Sequence, residues 1–106
     1  MIKVAIFRNS DGLIAAFSLS GHANTAPHGQ DIVCAAVSAL TQTAVLGLEK
    51  HLQIPISLDI ASGKLDVELD VPPNELTAAI LETMLFGLLE IEKINPQNIR
   101  ISEHRR

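Results

Sequence analysis

Apolar and polar positions alternate at both ends of the chain and in its middle, and two stretches of helical period lie between them. Ile2, Val4 and Ile6 alternate with Lys3 and Ala5, the period of a strand with one buried face. Arg8-Asn9-Ser10-Asp11-Gly12 follows and closes on a turn-forming Asp-Gly pair, so Leu13 to Ser20 reads as the returning strand of a β-hairpin. A second hairpin is predicted from the alternation of Ile54–Ala61, the tight turn Ser62-Gly63, and Leu65, Val67, Leu69 and Val71 beyond it. Asp31 to about Leu52 carries Val33, Val37, Leu40, Ala44 and Leu48 at helical spacing. It is apolar around most of its circumference, which predicts a helix buried on several sides. Pro72-Pro73-Asn74 is a helix-start signal for a second helix through Leu76, Ile80, Met84, Leu88 and Ile91, ending near Asn95-Pro96. A short strand, Ile99 to Ser102, precedes a polar tail. The order ββαββαβ predicts an α+β fold: a mainly antiparallel sheet with two helices packed on one face.

At 106 residues this is one domain, residues 1–106, with an apolar fraction of 47% that excludes intrinsic disorder. The core is aliphatic, since the chain holds three Phe and neither Trp nor Tyr. Lys and Arg number 8 against 12 Asp and Glu, a net charge of −4. A small nucleic-acid binder needs a basic excess and stacking aromatics, so no direct nucleic-acid binding is expected. The longest uncharged run, Ile32 to Leu48, contains Ser38, Thr41, Gln42 and Thr43 and is bracketed by Asp31 and Glu49-Lys50. It reads as a helix of a folded domain, with no membrane partner expected. The apolar stretch at the N-terminus is too short for a signal peptide. One cysteine forms no internal disulfide and supplies no cysteine-based zinc cluster, so a cytoplasmic location and no metal or other cofactor are expected. The mean hydropathy of +0.28 is high for so small a surface, and a homodimer is expected to cover part of it.

Reactive side chains concentrate in SGHANTAPHGQDIVCAAVS, Ser20 to Ser38. With Asp31 opening the helix, Cys34 lies in its first turn, where unpaired backbone N–H groups and the positive end of the helix dipole favour a thiolate nucleophile. A histidine is the usual activating partner. His22 directly follows a strand and is held by it, whereas His28 sits in a loop, Ala23 to Gln30, between Pro27 and Gly29; His22 is the preferred base. Asp31 can cap the helix, orient the base, or both. Ser38 shares the helical face of Cys34, and Gln42 extends that stripe by a turn. Gly21 and Gly29 bracket the loop and are expected to permit close approach of a substrate backbone and movement of the loop. The spacing of His22, His28, Asp31 and Cys34 does not match a structural zinc site. The residues alone leave open a thiol peptidase, a peptide-binding factor that does not cut, and a thiol redox sensor.

The segment GHANTAPHGQDIVCAAVSAL resembles the ribosomal-processing cysteine protease (Prp) family through its Gly-His pair, small-residue loop and G-x-D-x-V-C-A-A-V-S run. The resemblance implies a cytoplasmic endopeptidase acting as a homodimer. It would remove the N-terminal extension of large-subunit ribosomal protein twenty-seven, a basic ribosomal protein, during ribosome assembly. It also implies Cys34 as nucleophile and His22 as base, with Gly21, Asp31 and Ser38 in the same site. A ribosome-associated binding factor without catalysis is the alternative.

Overall fold

The computed structural model describes residues 1–21 and 32–106 in full and residues 28–31 by their backbone. The elements run β1 (Ile2–Arg8), β2 (Ile14–Ser20), α1 (His28–Leu46), β3 (Ile56–Ala61), β4 (Lys64–Leu69), α2 (Glu75–Ile94) and β5 (Ile99–Arg105). The strands form one sheet in the order β3-β4-β2-β1-β5. Three neighbouring pairs are antiparallel and the β1–β5 pair is parallel, so the expected mainly antiparallel α+β architecture is the observed one.

The alternation of β1 does what a two-residue period dictates. Ile2, Val4 and Ile6 are buried with Phe17 of β2 and Ile99 of β5, against Val33 and Val37 of α1 and Leu81, Leu85 and Leu88 of α2. Helix α2 starts where Pro72-Pro73-Asn74 predicts. The Asn74 side chain accepts from the N–H groups of Leu76 and Thr77, and the buried Thr77 hydroxyl accepts from the Asn74 N–H. This reciprocal cap satisfies donors that the first helical turn would otherwise leave unpaired. The helices meet closely at Gly87, where a Cβ would lie 2.9 Å from Leu40 Cδ1. Arg8 fastens α2 to the sheet. Its guanidinium donates to both carboxylate oxygens of Glu82 on α2, to Glu103 on β5 and to the Gly12 carbonyl.

Five boundaries or faces depart from the sequence expectation, each for a visible reason. Helix α1 begins at His28 and not at Asp31, because His28-Gly29-Gln30 enters the helix without any apolar periodicity to mark it. Its C-terminal end passes into a π-helical turn, Gly47–His51, closed by the Leu52 N–H on the Gly47 carbonyl. Strand β3 begins at Ile56, not Ile54: Gln53 has φ +55° and the Ile54 N–H turns back to the Leu48 carbonyl. Strand β5 extends through the polar tail to Arg105, because Glu103, His104 and Arg105 pair with Ile6, Phe7 and Arg8 of β1.

The fifth departure is the outer face of α1. Val33, Val37, Thr41, Ala44 and Val45 face the core, but Ile32, Ala35, Ala39 and Leu46 are exposed, with Ile32 63% accessible. By length and composition alone Ile32–His51 is long and apolar enough to cross a bilayer. In this fold it is buried along one side.

Candidate active site

Helix α1 packs along α2 and leaves a cleft between itself and the β3–β4 end of the sheet. The cleft has a volume of about 700 Å3. One wall is α1, through Cys34, Ser38, Thr41 and Gln42; the other is the sheet, through Leu19, Leu58, Ile60 and Leu65; Gly21 lies at its end. The sheet wall is open because α1 does not cover it: Leu58 and Ile60 point to the helix side of β3 yet remain 39% and 69% exposed.

Cys34 is a free, half-buried thiol whose body packs on the core cluster and which reaches the cleft. That position suits a nucleophile: the side chain is held by packing, and one side is open to a ligand. Because α1 starts at His28, Cys34 is the seventh helical residue, in the second turn and not the first. The field of the helix terminus falls off within its first turn, so the helix contributes less to a thiolate than the sequence expectation allowed. For the same reason Asp31 does not open the helix as an N-cap; it falls inside the first turn. Ser38, one turn after Cys34, is exposed and lies on the same wall.

Gly21 is glycine for a reason internal to the fold. Its φ is +90°, and a Cβ there would overlap the Met1 carbonyl oxygen. Its N–H donates to the Gly63 carbonyl at 3.0 Å, which ties the end of β2 to the β3–β4 turn. The sequence reading assigned this freedom to a substrate backbone; the close approach that requires it is to the chain's own first residue.

The structure thus brings Gly21, Cys34 and Ser38 to one cleft. His22 and residues 23–27 of the predicted loop lie outside the described residues, as do the side chains of His28 and Asp31. Among the described residues no three His, Cys, Asp or Glu side chains converge as metal ligands would. The apolar wall of Leu58, Ile60 and Leu65 was not anticipated as part of a site. In the sequence their alternation is that of any core-facing strand.

The family model of the cysteine protease Prp matches residues 1–100. The ribosomal processing cysteine protease Prp of Bacillus subtilis is 33% identical over 108 residues, covering 96% of each chain. That of Staphylococcus aureus strain Mu50 is 33% identical over 105 residues, covering 96% of this chain and 98% of its own. The solved structure of the S. aureus protease in complex with a substrate peptide superposes with a TM-score of 0.90 at 28% identity, covering 97% of this chain and 99% of that one. A second S. aureus structure, described as an essential ribosomal processing protease with a covalently linked product peptide, gives 0.87 at 30% identity over the same shares. A match along nearly the whole length, with a cysteine held at a cleft between helix and sheet, makes this chain a member of the cysteine protease Prp family.

Proposed function

We propose that this cysteine protease cleaves the N-terminal extension of large-subunit ribosomal protein twenty-seven by acyl transfer at Cys34. The observation that carries the reading is the half-buried thiol on the wall of a peptide-sized cleft. In the proposed reaction the Cys34 thiol passes its proton to the His22 imidazole, and the sulfur attacks the scissile carbonyl. The imidazolium protonates the departing amine, leaving a thioester on Cys34. His22 then takes a proton from water, whose oxygen attacks the thioester and frees the acid and the thiol. Asp31 orients His22, and Ser38 contacts the substrate beside the sulfur. A net charge of −4 suits a basic ribosomal partner.

The single domain carries the whole activity, in the cytoplasm and without a metal or other cofactor, in this reading. It acts as a homodimer. The uncharged outer face of α1 and the 67% exposed Phe86 of α2 are apolar surface of the kind a closed twofold buries.

Mass spectrometry of a peptide copy of the extension tests the reading. The wild-type protein releases two fragments, while folded Cys34→Ala and His22→Ala variants release none. An intact peptide that binds wild-type protein would instead identify a non-catalytic binding factor. Sedimentation at micromolar concentration giving one 11.4 kDa species would remove the dimer.

A further inference from the structure

The cleft has two chemically different walls. The four side chains of the sheet wall, Leu19, Leu58, Ile60 and Leu65, are apolar and offer an incoming peptide burial but no side-chain hydrogen bond. A peptide that loses water in the cleft needs partners for its backbone N–H and C=O groups, because a buried unpaired group costs as much as a lost hydrogen bond. Among the described residues, the polar side chains lining the cleft are Ser38, Thr41, Gln42 and Lys64. Two of them are already engaged. The Thr41 hydroxyl is fully buried and donates to the Val37 carbonyl of its own helix at 2.9 Å. The Lys64 ammonium is held by the Asp59 carboxylate at 2.9 Å and the Asp66 carboxylate at 3.3 Å. The hydroxyl of Ser38 and the amide of Gln42 have no hydrogen-bond partner among the described residues, and both residues are exposed along the α1 rim of the cleft.

Ser38 lies one turn from the sulfur and belongs to the site already described. Gln42 lies eight residues beyond Cys34 on α1, about 12 Å along the axis at ~1.5 Å per residue. An extended peptide laid along α1 advances about 3.4 Å per residue, which would set Gln42 opposite the peptide unit some three to four residues from the bond at Cys34. A primary amide presents one donor and one acceptor side by side. That pair is complementary to the C=O and N–H that an extended backbone shows along one edge.

We propose that Gln42 is a substrate-binding residue that pairs its side-chain amide with the backbone of the substrate three to four residues from the scissile bond. This rests on the reading that Cys34 attacks a peptide lying in this cleft. Gln42 makes the contact equally before and during the reaction. It therefore sets KM and leaves kcat alone, and it demands an extended backbone at that distance while accepting any side chain there.

The test uses the full-length protein and a peptide copy of the ribosomal extension. Gln42→Ala raises KM about tenfold, the worth of one or two hydrogen bonds, with kcat within about twofold of wild type. Its thermal midpoint does not move, because the side chain is exposed. Replacing single amides of the peptide by esters, one at a time, finds a position three or four residues from the cleavage point that weakens binding to wild type but not to Gln42→Ala. An unchanged KM in Gln42→Ala, a fall confined to kcat, or ester penalties identical in the two proteins at every position would overturn the assignment. Should wild-type protein bind the peptide without cutting it, the proposed cleavage and not this contact is at fault. The peptide's fluorescence anisotropy with Cys34→Ala and with Cys34→Ala/Gln42→Ala then gives the same comparison, with about tenfold weaker affinity in the double variant expected. Equal affinity, or no binding to either, would overturn it.

Discussion

Replacing Gly21 with alanine separates two penalties that the backbone imposes. The first is conformational: φ is +90°, where an L side chain costs about 1–2 kcal/mol. The second is spatial, since the new Cβ would overlap the Met1 carbonyl oxygen and lie 3.2 Å from its carbon. Both are backbone atoms, so the strand entrance itself must move, and about 1–2 kcal/mol more is expected. Gly12→Ala is an internal control. Its φ is +84°, but the nearest atom to an added Cβ is the Arg105 Nη2, 4.0 Å away, so only the conformational penalty applies. At ~4–8 °C per kcal/mol for a domain near this size, Gly21→Ala lowers the thermal midpoint by about 10–25 °C and Gly12→Ala by about half as much. Far-UV circular dichroism on heating measures both. Equal losses in the two variants, or no loss in Gly21→Ala, would refute the argument that Met1 is what excludes a side chain. In the folded fraction at low temperature Gly21→Ala also loses peptide cleavage, since the displaced backbone leads directly into His22.

Other outcomes follow from single contacts. Arg8→Met leaves Glu82 and Glu103 without their shared cation and costs about 2 kcal/mol in urea unfolding; the partial exposure of the pair keeps it below the cost of breaking a fully buried one. Asn74→Ala removes the acceptor for two N–H groups of α2 and costs about 1 kcal/mol, whereas Asn74→Ser retains most of the stability. Hydrogen bonds to Asp59 and then Asp66 raise the Lys64 ammonium above the ordinary 10.5. A raised cation contributes fully below its unfolded pKa and lapses only as pH climbs through the folded one. The β3–β4 amide resonances therefore stay constant from about pH 7 to about pH 10 and shift only beyond, and Lys64→Met abolishes that alkaline shift.

The parts of the fold that could be read from sequence are those where local chemistry and burial agree. The β1–β2 hairpin shows alternation on both strands and an Asp-Gly turn between them, and α2 has its start written in Pro72-Pro73-Asn74. The parts that could not be read depend on distant partners. Glu103, His104 and Arg105 look like a tail because an edge strand with an open face needs no apolar residues; the parallel partner that makes them β5 lies almost a hundred residues earlier. Nothing in His28-Gly29-Gln30 is periodic, so the first turn of α1 was invisible and Cys34 was set one turn too near the helix start.

The site divides in the same way. Cys34 and Ser38 were legible from their chemistry and helical spacing, and both reach the cleft. The opposite wall was not, because Leu58 and Ile60 carry the pattern of a covered strand in a place where α1 stands away from the sheet. The sequence marks Gly21 for the approach of a substrate backbone, and the group that the fold brings against it is the Met1 carbonyl.

The most direct trial of catalysis at Cys34 uses the fact that the chain has one thiol. Cleavage of the ribosomal extension peptide is followed by mass spectrometry before and after alkylation with iodoacetamide, and the alkylation rate is measured with and without excess peptide. Cleavage should stop in proportion to the modified thiol, and bound peptide should slow modification by filling the cleft. Cleavage that continues in fully alkylated, folded protein would contradict the assignment of Cys34 as the nucleophile.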